Sequence, residues 1–97
     1  MYDRVMIENM DADDFSQFVR DFLREIYLCG SPNVCVTKVH VNWAILLMRK
    51  GIQLIEEDPI INHFLCTDLF GLQKLVISGS KNVEDIPDFV CEWKRNQ

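Results

Sequence analysis

Apolar residues recur at steps of three and four from Phe15 onward: Phe15, Phe18, Val19, Phe22, Leu23 and Ile26, with Asp14, Gln17, Arg20, Asp21, Arg24 and Glu25 between them. That spacing puts the apolar set on one face of an amphipathic helix. Asp11 stands where a carboxylate can accept from the free amides of the first turn, and Asp13 and Asp14 match the positive end of the helix dipole. Gly30 is placed to close the helix in a left-handed turn. Upstream, Tyr2, Val5, Met6 and Ile7 follow no clear period, so residues 1–10 read as an arm that packs or frays.

The segment after Ser31-Pro32 carries two patterns at once. Val34, Val36, Val39 and Val41 are β-branched and partly alternating, which fits a strand. Val36, Val39, Trp43, Leu46 and Leu47 also make a continuous helical stripe. Helix is preferred, because no second strong strand stands nearby to pair with it. Gly51 is about 1 kcal/mol poorer than alanine inside a helix and predicts a stop or bend. Ile52, Leu54 and Ile55 carry the apolar face on toward Asp58.

Asp58-Pro59 reads as a helix start, with Pro59 at a position where its missing N–H is harmless and Asp58 available as the cap. Ile60, Ile61, Phe64 and Leu65 follow at helical spacing, Gly71 predicts a turn, and Leu72, Leu75 and Val76 resume on a second short helix. A polar break runs from Ser78 to Asn82. Val83, Ile86, Phe89, Val90 and Trp93 then form the stripe of a terminal helix ending in Lys94-Arg95. The expected fold is all-α, a compact four- to five-helix bundle, with residues 11–97 as one domain.

Composition narrows the classes. A chain of 97 residues can bury roughly 60–70% of the surface it exposes unfolded, enough for a core without staples. Hydrophobic residues at 48% and charged residues at 26% fit a globular rather than a disordered chain. The longest apolar run, Trp43 to Met48, is too short for a bilayer, and the N-terminus lacks the order of a signal peptide, so the expectation is an intracellular protein with no membrane partner. Cys29, Cys35, Cys66 and Cys91 are then expected as reduced thiols. A net charge of −5 with ten basic residues repels phosphate backbones, which argues against a nucleic-acid partner.

Candidate chemistry is sparse. Cys29, Cys35, His40, His63 and Cys66 are the available metal ligands, but no Cys-x-x-Cys unit supplies a zinc hairpin. Cys66 with His63, or Cys35 with His40, could pair as nucleophile and base, yet no oxyanion site or orienting third group accompanies them. No phosphate loop or nucleophile elbow is present. The expectation is therefore a protein without catalysis, cofactor or metal. Trp43 and Trp93 read as core aromatics, and Glu56-Glu57-Asp58 as a solvated helix end.

Pro59-Ile60, Phe64-Leu65, Phe70-Gly71, Val83 with Ile86, and Trp93-Lys94 stand in an order that resembles the N-terminal (LW) domain family of the elongation factor TFIIS. Elongin A, a Mediator subunit and the integrase-binding domain of LEDGF belong to that family. The likeness covers about forty residues, in the helix-start and helix-end signals of the C-terminal half. The sequence departs from the family at Ile61 and Asp68, where the family has threonines, and is one residue shorter between Ile86 and Trp93. The resemblance implies a helical, non-catalytic docking module of the transcription elongation machinery, in the nucleus, that takes up short motifs from disordered partner proteins.

It also implies where. The contacting loops of LEDGF-like members correspond here to Leu28–Val36 and Ser78–Ile86. On that basis Val83 would form an apolar floor, Val34 a facing wall, and Lys81 and Asn82 rim donors, with Ile86 a further partner-binding residue. For Val83 the alternative is a hydrophobic staple on the last helix. The acidic charge of the chain favours a neutral or basic motif. A second class of function is a constitutive assembly subunit, a homo- or heterodimer, drawing on the surplus of apolar residues between Val34 and Ile55.

Overall fold

The computed structural model describes residues 3–28 and 36–94. Among them are five α-helices and no strand: α1 (Arg4–Glu8), α2 (Ala12–Leu28), α3 (Lys38–Glu57), α4 (Asn62–Gly79) and α5 (Asp88–Glu92). Short 3-10 turns at Pro59–Ile61 and Val83–Asp85 join the last three. The all-helical bundle predicted from the pattern is the fold.

α2 and α3 each start on a side-chain cap. The Asp11 carboxylate accepts from the Asp14 N–H at 2.8 Å, so α2 carries the expected cap. At α3 the Thr37 hydroxyl accepts from the His40 N–H at 3.2 Å, while His40 Nδ1 accepts from the Thr37 N–H at 3.3 Å. This reciprocal box sets Thr37 in extended backbone and begins the helix at Lys38. The β-branched run is therefore helical from Lys38 on. Val34 and Cys35, and Gly30 with its expected turn, lie outside the described residues.

The two glycines expected to interrupt helices do not. α3 runs through Gly51 and α4 runs through Gly71. A methyl group at Gly51 would lie 2.6 Å from Leu69 and 2.7 Å from Phe15; one at Gly71 would lie 2.8 Å from Leu23. Both positions are where another helix comes too close for a side chain, and the closeness of packing outweighs the propensity deficit. The same contacts fix the topology. Gly51 meets Leu69, and Gly79 lies against Val41, so α3 and α4 are antiparallel. Phe15 at Gly51 and Phe22 beside His40 make α2 antiparallel to α3 as well.

α4 is the central helix, burying Leu65, Asp68, Leu69, Leu72, Leu75 and Val76. By length and composition alone the stretch Pro59–Gly79 would suffice to cross a bilayer; here one face of it packs against α2 and α3, while Ile60 and Ile77 stay exposed. Asp68, only 4% exposed, accepts from the Ser16 hydroxyl at 2.8 Å and has Arg20 Nε at 3.6 Å. At Pro59 the turn closes through the Asp58 backbone carbonyl, which accepts from the Ile61 N–H, and the expected Asp58 side-chain cap is not formed.

The N-terminal residues are integrated into this core. Asp3 caps α1, Ile7 and Met10 are buried, and Lys50 Nζ donates to the Glu8 carbonyl at 2.8 Å, tying the end of α1 to α3. At the other terminus the stripe from Val83 to Trp93 is not one helix. Pro87 forces Ile86 into extended backbone, so α5 starts only at Asp88. Gln73 Nε2 donates to the carbonyls of Val90 at 2.7 Å and Trp93 at 3.0 Å, holding α5 on α4. Gln73→Ala is expected to lower stability by about 1–2 kcal/mol through these two bonds. Faster amide hydrogen exchange in α5 than in α2 would be the accompanying sign.

Candidate functional site

The antiparallel arrangement collects the C-terminus of α2, the N-terminus of α3 and the C-terminus of α4 at one end of the bundle. Val36, on the approach to α3, lies beside Gly79, at the point where the chain leaves α4. Val36 and Gly79, one from each of the two segments singled out by the family likeness, therefore meet here, and residues 29–35 of the first segment lie outside the described residues.

The second of them is well ordered by its own bonds. The Ser80 hydroxyl donates to the Val76 carbonyl at 2.6 Å, the Asp85 N–H to the Asn82 carbonyl at 3.1 Å, and the Ile86 N–H to the Val83 carbonyl at 3.1 Å. This turn holds Val83 outward at 80% exposure, while Ile86 points inward and belongs to the core. Lys81 and Asn82 are exposed beside Val83. The Asn82 amide reaches Asp85 at 3.5 Å, a long contact that an incoming carbonyl could displace. Of the five expected site residues, Lys81, Asn82 and Val83 thus share one exposed turn. Ile86 supports that turn from below instead of presenting a surface, and Val34 lies outside the described residues.

Three further apolar residues belong to this end of the bundle: Val39, which spacing set in the buried stripe of α3, and Tyr27 and Ile77, which no stripe included. Tyr27, Val39 and Ile77 are 52%, 60% and 48% exposed. Tyr27 and Ile77 each follow a core position, Ile26 and Val76, at a helix end, and Val39 lies in the first turn of α3. Lys38 is exposed beside Val39.

The His40, His63 and Cys66 side chains engage the backbone instead of one another. His40 is held in the Thr37 box, and its ring meets Phe22 edge-on, with centroids 6.4 Å apart. His63 Nδ1 contacts the Ile60 carbonyl, and the Cys66 thiol donates to the His63 carbonyl at 3.7 Å. Among the described residues no group of three or more His, Cys, Asp or Glu is placed to hold a metal ion. Protein-family models, curated proteins and solved structures each yield no match to the chain. The likeness to TFIIS N-terminal domains accordingly rests on the residues quoted for it.

Proposed function

We propose that this chain is a non-catalytic interaction module that takes up a short motif of a disordered partner at the bundle end carrying Val83. The observation that supports the reading is Val83 itself. A hydrogen-bonded turn holds this valine outward, at the end of the bundle where α3 begins and α4 ends, and an ordered apolar side chain of that kind is an anchor point for a peptide. Its exposure leaves it little contact with which to act as a staple on α5. Lys38, Lys81 and Asn82 would meet backbone carbonyls or an acidic residue of the motif, although the net charge of the chain favours a neutral or basic motif as a whole. The family likeness would place the partner in transcription elongation or chromatin-linked regulation, in the nucleus.

Val83→Asp is expected to weaken motif binding about tenfold or more, the scale of losing a central apolar contact. The urea midpoint should stay unchanged, because the side chain contributes nothing to the core. Isothermal titration beside denaturation checks both halves; an unchanged affinity would count against the site. A lowered midpoint would revive the staple. The assembly reading draws on the same exposed side chains, and sedimentation separates the two. A monomer supports docking, and a stable dimer supports assembly.

A further inference from the structure

A second surface lies at the other end of α3. Ile52 and Ile55 of α3, with Phe89 and Trp93 at α5, floor a groove of ≈ 240 Å³ whose rim carries Glu56 and Glu92. Pockets for whole small ligands run from about 300 to 1,000 Å³. This groove is smaller and suits one or two side chains of a longer chain lying across it.

The charge around it selects the occupant. Glu56 continues into Glu57 and Asp58, and α5 brings Asp88 and Glu92, all exposed. α3 ends here without a basic residue in its last turn, so the negative end of its dipole adds to the carboxylates. Among the described residues two cations stand against them: Arg49, whose guanidinium lies 4.5 Å over the Phe89 ring, and Lys94 after Trp93. Arg49 sits two turns before Glu56 on α3, so among the described residues the exposed carboxylates around the groove outnumber the cations. We infer that this groove receives a basic, apolar segment of another protein, its leucine or aromatic anchor seated between Phe89 and Trp93 and its lysines on Glu56 and Glu92. A second copy of the chain is a poor occupant, because a two-fold contact would set these carboxylates against themselves on a chain of net charge −5. Anionic lipid and nucleic acid are repelled on the same ground.

The inference stands apart from the Val83 site, and its test keeps the two separate. The probe is a synthetic peptide with a leucine-phenylalanine pair flanked by lysines, titrated into the intact chain while the Trp93 indole resonance is followed by NMR. Micromolar binding that weakens with salt is expected, with roughly three- to tenfold loss in a Glu56→Gln, Glu92→Gln double variant, the sum of two rim charge pairs. Val83→Asp should leave this binding unchanged. Those glutamates are exposed, so the double variant is expected to fold, as circular dichroism would verify. The proposal is overturned if the peptide leaves Trp93 unmoved, if a peptide with glutamates for lysines binds equally well, or if Val83→Asp abolishes binding while the double variant does not. A concentration-dependent dimer that shifts Trp93 without peptide would also overturn it.

Discussion

Phe15→Ala is expected to remove about 3–5 kcal/mol of stability, the range for truncating a fully buried phenylalanine. Small domains have only about 5–15 kcal/mol in total, so the variant should sit close to its unfolding threshold at room temperature. The magnitude follows from position. Phe15 is 0% exposed, and its ring edge fills the space left by the missing side chain of Gly51. Truncation therefore opens a void between α2 and α3 that a helix backbone cannot collapse to fill. The same geometry predicts coupling. Gly51→Ala gains about 1 kcal/mol of helix propensity but drives a methyl into Phe15 and Leu69, an overpacking that costs about 1–3 kcal/mol. Alone it should destabilise. Combined with Phe15→Leu, which withdraws the ring edge, much of the clash disappears, and the two changes should interact by more than about 0.5 kcal/mol. Urea unfolding of the four proteins in this cycle measures that term; additive midpoints would show that the close approach of α2 to α3 is wrongly placed.

The second large effect belongs to Asp68. Ser16→Ala should cost about 1.5–3 kcal/mol, since it removes a hydrogen bond to a buried carboxylate. Asp68→Ala strands the Ser16 hydroxyl and opens space at the α2–α4 contact, a loss of about 1–3 kcal/mol for the unsatisfied donor before the void is counted. Arg20 behaves differently. Its side chain is 61% exposed and returns readily to water, so Arg20→Ala should cost under about 1 kcal/mol. Replacing the buried pair together, Ser16→Ala with Asp68→Leu, removes both polar groups and is expected to be near neutral or stabilising. Denaturation of the single and double variants decides it. If the double variant loses as much as Ser16→Ala and Asp68→Leu measured singly and summed, the pair contributes something beyond mutual satisfaction.

The residues that could be read from the sequence are those whose partners are local. α2 was legible because its apolar spacing and the Asp11 cap lie within one continuous stretch. Gly51 and Gly71 were misread because propensity describes a helix in isolation, whereas their role depends on Phe15, Leu69 and Leu23 arriving from other helices. Asp68 stood out only as a departure from a family threonine; Ser16, which satisfies it, lies 52 positions away. At the candidate site, spacing placed Val83 at the head of the terminal-helix stripe, and only the family resemblance singled it out as a contact residue. Its separation from Ile86 was also written in Pro87, which sets the residue before it in extended backbone. Tyr27, Val39 and Ile77 were not recoverable, since their exposure depends on where neighbouring helices end.

The antiparallel pairing of α3 with α4 makes a stiff strut with one proposed surface at each extremity. From Val39 to Glu56 an α-helix advances about 25 Å, too far for a single short peptide to touch both ends. A partner bearing both motifs would need a tether of at least about eight extended residues between them. Beyond that length, simultaneous engagement would tighten the complex by raising local concentration, with no additional contact formed.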